Sequence, residues 1–203
     1  MQSPYVNLGK ALQLCVSFLV MFIAVNCIIN ISSSIMMDDG FGNLGFYTLG
    51  CVYLTSGITS LFSGAMFNRL GVKLCLLIAG TTNTLWILTM IFAAIKHEYP
   101  DIDSVVVKAP FVYTISIIVS LINGAGVTLT TVAQGNYISN CATEETKGLF
   151  FSIFWAFYMG AQVFGNLIAS QIMGNLDQIY FLIIMVSITI LATISFAFLK
   201  KPT

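Results

Sequence analysis

The residues of this sequence that could do chemistry are few and widely separated. The single His97 stands between Lys96 and Glu98 in a polar stretch read as a loop, so neither a His/Cys zinc site nor a Ser-His-Asp relay can be assembled around it. The five cysteines, Cys15, Cys27, Cys51, Cys75 and Cys141, contain no C-x-x-C pair. Four of them lie in apolar runs, where a thiol behaves as a small hydrophobe. Glu144 and Glu145 adjoin a bilayer boundary, and helix capping accounts for them. The chain is therefore expected not to be an enzyme, to hold no metal and to need no cofactor, bound lipid being the one ligand left open.

The neutral polar residues show more pattern. Asn26 and Asn30 are spaced four apart in one apolar run, Asn123, Thr130 and Gln134 share a helical sector in another, and Gln162 and Asn166 are spaced four apart in a third. An unsatisfied amide in hydrocarbon costs several kcal/mol, so these stripes must face protein or water. They would line a hydrated cleft for a neutral or lipid-like ligand, or else form interhelical hydrogen bonds worth about 0.6 to 2 kcal/mol each.

The elements that position these groups follow from composition. In 203 residues, 58% are hydrophobic and 8% charged, against about a quarter charged in a soluble domain. This is the composition of a membrane protein. Eight basic and eight acidic residues cancel, which leaves no basic excess for nucleic acid. At about 20 residues per span the length accommodates about six helices. The expected fold is all-α, a single domain over residues 1–203 with spans near 10–32, 45–67, 73–95, 110–134, 149–173 and 178–199. Pro110 suits the first turn of the fourth helix, and Asn175 or Asp177 could cap the sixth. No small-residue cleavage site follows the first run, which reads as a retained signal anchor.

Charge sets the expected orientation. Lys10, Arg69, Lys73, Lys147, Lys200 and Lys201 fall on one side, and Lys96 and Lys108 on the other with Asp38, Asp39, Glu98, Asp101, Asp103 and Asp177. The positive-inside rule then puts both termini in the cytosol, or in the matrix of a mitochondrial inner membrane, with endomembrane and plasma membrane equally open. All sixteen formal charges fall in loops or at helix ends, so no proton or ion relay crosses the spans. Arg69, Lys73 and Lys147 would form a cationic rim for anionic lipid or an acidic partner loop. Small residues at Ser56/Ser60/Gly64 and Ala161/Gly165/Ala169, with Gly124 and Gly126, mark packing seams, expected to lie within the chain.

Two segments carry a family pattern. Between the second and third runs the chain reads Gly64-Ala65-Met66-Phe67-Asn68-Arg69-Leu70-Gly71-Val72-Lys73. Gly64, Arg69, Gly71 and Lys73 resemble the loop signature of the major facilitator superfamily. Asn68 replaces its Asp, which would reduce a charged contact with a neighbouring helix end to a neutral hydrogen bond. Further on come Gln134-Gly135-Asn136-Tyr137, then Thr143-Glu144-Glu145-Thr146-Lys147-Gly148, then Phe151-Ser152-Ile153-Phe154-Trp155. Thr143 could cap the next helix and Glu144 could pair with Lys147, while Tyr137 and Trp155 could act as interfacial or packing aromatics. Together with the Gly-rich Gly40–Gly45 link, these segments resemble the UNC-ninety-three-like, ion-channel regulatory branch of that superfamily, with Ser152 in place of a Gly.

The resemblance covers the amino-terminal six-helix half of such proteins and implies two inverted three-helix repeats. Alternating access needs two bundles rocking against each other. The expected role is accordingly an accessory or regulatory subunit that packs against other integral membrane subunits and membrane lipids. The alternative is a homodimeric transporter of a neutral small solute or lipid.

Overall fold

The computed structural model describes residues 5–172 and 176–202, and among these the regular structure is entirely helical. Helix α1 spans Leu8–Met36 and closes with a π-turn at Met37–Phe41. It is followed by α2 (Leu44–Ser60), α3 (Ser63–Glu98), a 3₁₀ turn (Val105–Val107), α4 (Ala109–Cys141), α5 (Lys147–Ile172) and α6 (Gln178–Ala197). Long uncharged runs become helices because only internal hydrogen bonding satisfies a backbone deprived of water. Outward side chains such as Leu54, Leu191 and Phe198 remain exposed, as expected of a surface solvated by lipid tails.

Five helical segments among the described residues are long and apolar enough to cross a membrane: Leu8–Phe41, Ser63–Glu98, Ala109–Cys141, Lys147–Gln171 and Gln178–Ala197. The expected span 45–67 is not one of them. Helix α2 stops at Ser60, and Leu61 and Phe62 bond back three residues, to Ile58 O at 3.3 Å and Thr59 O at 3.0 Å. The Ser60 hydroxyl donates to Gly57 O and the Ser63 hydroxyl to Ser60 O, and such local bonds compete with the helical ladder. Most other boundaries shift outward, as at the start of α3, Ser63 against the expected 73, and at α4, where Gly135–Cys141 stays helical beyond the expected end at 134, whereas α6 ends at Ala197, short of the expected 199. The expected end of the fifth span, 173, and the candidate cap Asn175 lie outside the described residues. Asp177 does hold the N-cap position of α6, but its side chain makes no capping bond. Pro110 occupies the first turn of α4 as expected.

Within α3, Gly71 (φ +73°, ψ 170°) is the one residue off helical geometry. A continuous helix from Ser63 would carry Asn83 about 30 Å from its start. Yet α2 and the later part of α3 flank α4 at one level: a Cβ on Gly124 would strike Val52 and Thr55, and one on Gly126 would strike Thr82 and Ala79. The chain therefore turns back at Gly71, whose left-handed φ an L side chain resists.

The principal helix pairs are α1 with α5 and α6, α4 with α2 and α3, and α3 with α6. Exchanging α1 with α4, α2 with α5 and α3 with α6 maps this set of pairings onto itself. Glycine lets the pairs approach closely. A Cβ on Gly165 of α5 would lie 2.8 Å from Ile23 O of α1, and one on Gly45 of α2 would lie 2.6 Å from Ser33 Cα. The Ser56 seam holds α2 to α4 through Thr128, whose hydroxyl donates to Ser56 O at 2.9 Å. It does not extend to Gly64, which has nothing within 4 Å of a Cβ. Phe18 sits at the centre of the α1–α5–α6 core, edge-on to Phe154 at 5.1 Å and Phe196 at 5.5 Å.

Candidate functional site

Five helices converge on a cavity of about 190 Å³ at mid-bundle. Helix α1 contributes Asn26 and Asn30, α2 Tyr53, α3 Asn83 and Trp86, α4 Asn123, and α5 Tyr158 and Gln162. Each pair on one helix is spaced three or four apart, so both side chains leave the same face. The glycine contacts at 124, 126 and 165 set the helix separations that let these faces meet.

The floor is buried and electrically neutral. Asn26, Asn83, Trp86 and Asn123 are each at most 6% exposed. No Asp, Glu, Lys, Arg or His lines the cavity. Four of its polar atoms have no hydrogen-bond partner: the donors Asn26 Nδ2 and Trp86 Nε1, and the acceptors Asn83 Oδ1 and Asn123 Oδ1. Asn83 spends its amide donor on Ala79 O, 3.1 Å away. A buried unpaired polar group costs about 1–3 kcal/mol, and the four residues that carry these two donors and two acceptors all line one neutral cavity. At about 30 Å³ per water the volume suits about six waters or one small solute.

The expected polar stripes divide into two kinds. Asn30 Nδ2 donates to Asn166 Oδ1 at 2.5 Å, joining α1 to α5. Asn26 and Asn123 sit in the cavity floor, and Gln162 stands exposed on its rim. Gln134 is buried with an unpaired Nε2 but lies away from the cavity. Asn83 and Trp86, absent from the sequence reading, complete the floor. The signal for them was the polar run Thr81–Thr84 in the middle of an apolar span, with Trp86 three residues beyond Asn83.

The family-motif residues are scattered. Gly71 makes the turn, while Gly64, Gly135 and Gly148 have open space where a Cβ would stand. Asn68 and Arg69 are exposed, and the neutral hydrogen bond expected of Asn68 is not formed among the described residues. Lys73 is exposed beside a second cavity, and Tyr137 is buried with its hydroxyl donating to Lys200 O at 2.6 Å. Phe154 is a core residue, and Trp155 is half-exposed against Tyr158. Thr143 does not cap α5. It pairs with Thr146, whose Oγ1 accepts from Thr143 N at 3.0 Å, because the tight Thr143–Thr146 turn brings the two together. Glu144 does pair with Lys147, at 2.9 Å.

His97 departs most from expectation. It lies in the last turn of α3 rather than in a loop, with Nδ1 3.3 Å from Asp39 Oδ1. The Asp39 side chain is fully buried there and accepts from Gln178 Nε2 at 2.8 Å. Acid, imidazole and amide thus join the ends of α1, α3 and α6. No group of three or more His, Cys, Asp or Glu able to hold a metal occurs among the described residues. The chain matches no protein-family model and no curated protein.

Proposed function

We propose that this chain is a non-enzymatic integral membrane protein that acts as an accessory or regulatory subunit of a larger membrane assembly. In this reading α2 and the Ser63–Leu70 segment together make a sixth crossing, and both termini face the cytosol or matrix. The self-mapping helix pairings are those expected of two inverted three-helix repeats, and they support the major-facilitator-like and UNC-ninety-three-like reading of the motifs.

One observation carries the proposal. Gln162 is exposed near the middle of α5, beside the exposed Asn30–Asn166 pair and Tyr53, and a Gln amide cannot face lipid tails without losing its hydrogen bonds. Protein or water must cover this face. Around it, α2 and α5 present Leu54, Ile58, Val163 and Leu167, an apolar frame suited to another membrane helix. The test is photo-crosslinking from positions 162 and 53 in the native membrane, with Leu191 on α6 as the lipid-facing reference. Protein adducts from the first two positions alone support the subunit reading. Lipid adducts from all three, with a stable partner-free monomer in detergent, would overturn it.

The four unpaired polar atoms of the cavity favour a second reading, a homodimeric carrier of a neutral small solute or lipid. Adducts between two copies through Gln162, together with solute flux into liposomes, would select it.

A further inference from the structure

We infer that the ends of α4 and α6 form a pocket for the phosphate of an anionic lipid headgroup, with Lys73, Lys200 and Lys201 as its anion-binding groups. The cavity there measures about 700 Å³, within the range of pockets that hold a whole small ligand. All three lysines line it and, among the described residues, no carboxylate does. None of the three ammonium groups forms an ion pair or hydrogen bond among the described residues. Three uncompensated cations around one concavity create a strong local field for anions.

The remaining lining makes the pocket specific. Asn136 accepts from Asn140 Nδ2 at 2.8 Å, which leaves its own Nδ2 to donate to a phosphate oxygen. Tyr137 holds the backbone of Lys200 at 2.6 Å, fixing the segment that carries two of the cations. The turn at Gly71, itself in the lining, brings Lys73 into the same pocket. Phe67 and Leu199 line the same pocket, so cations and apolar side chains share one concavity at the level where spanning helices finish. That amphiphilic wall selects a lipid over a free phosphate. Neither Arg69 nor Lys147 from the expected cationic rim lines the pocket, and Lys147 is already paired with Glu144.

The test uses the purified full chain in neutral detergent, titrated with dioctanoyl phosphatidylinositol 4-phosphate and read by melting temperature and native mass spectrometry. Saturable stabilisation is expected, with none from dioctanoyl phosphatidylcholine. Converting Lys73, Lys200 and Lys201 together to Gln should weaken binding roughly fivefold per lysine, on the order of a hundredfold in all, at about 1 kcal/mol for each cation near an anionic surface. The same three positions as Arg should retain binding, as should Lys96→Gln with Lys108→Gln at the other end. If the triple Gln variant does not fold, Lys201→Gln alone should still show its fivefold loss. Equal stabilisation by phosphatidylcholine, or unchanged affinity in the Gln variants, overturns the proposal. Equally tight binding of inositol phosphate lacking acyl chains also overturns it and assigns the pocket to a soluble phosphate.

Discussion

His97 Nδ1 stands 3.3 Å from Asp39 Oδ1, and this contact ties the last turn of α3 to the π-turn that closes α1. It is a close contact rather than an aligned hydrogen bond, since Oδ1 has no hydrogen-bond partner among the described residues. Gln178 supplies the directed bond to the other oxygen at 2.8 Å. Because His97 is about half exposed, solvent screens the pair and most of the stabilisation rests on Gln178. Asp39→Ala should lower stability by about 1–3 kcal/mol, the cost of stranding the Gln178 amide. Asp39→Asn, able to accept the same bond, should lose less. Thermal melts of the two variants in one detergent check the order, and equal losses would deny Gln178 its role.

Glycine positions give a sharper contrast. Gly165→Ala places a methyl 2.8 Å from the Ile23 carbonyl oxygen. Neither backbone can yield without parting α1 from α5, so a loss of about 1–3 kcal/mol is expected. Gly64→Ala and Gly135→Ala meet nothing within 4 Å and should be neutral or stabilising by up to about 1 kcal/mol through helix propensity. Melting temperatures that rank the three alike would contradict the α1–α5 packing.

In the mid-bundle cavity, paired and unpaired amides should respond in opposite directions. Asn30→Leu strands Asn166 across the α1–α5 contact and should cost about 0.6–2 kcal/mol. Asn123→Leu removes an acceptor with no partner, and eliminating such a group is near neutral or stabilising. Comparative melts of the ligand-free protein provide the check. A destabilised Asn123→Leu would mean that its oxygen is already bonded, by an ordered water.

Tyr137→Phe keeps the ring in its buried seat and deletes the hydroxyl that donates to Lys200 O. The expected loss is about 1 kcal/mol globally, with a larger local effect. Trypsin should cleave after Lys200 faster in the variant than in the wild type, the Lys201–Pro202 bond being resistant in both. Unchanged cleavage would show that other contacts hold this segment.

What could be read in the chain alone was whatever depends on neighbouring residues. Five of six spans were legible because a helix in lipid satisfies its own backbone, so the length of an uncharged run decides its existence. The exception, 45–67, broke where Ser60 and Ser63 hydroxyls take backbone carbonyls, a competition that averaged hydropathy cannot register. Spacing placed Asn26 with Asn30 and Gln162 with Asn166 on shared faces, since periodicity is a property of one helix. It could not say what stands opposite. Only the packed bundle determined that Asn30 meets Asn166 while Asn26 lines the cavity with its Nδ2 unpaired, that Asn83 and Trp86 close the floor, and that Asp39 reaches His97 and Gln178. Those relations join distant parts of the chain through glycine contacts a few ångströms wide, and the distances between helices are set by packing, which no local pattern encodes.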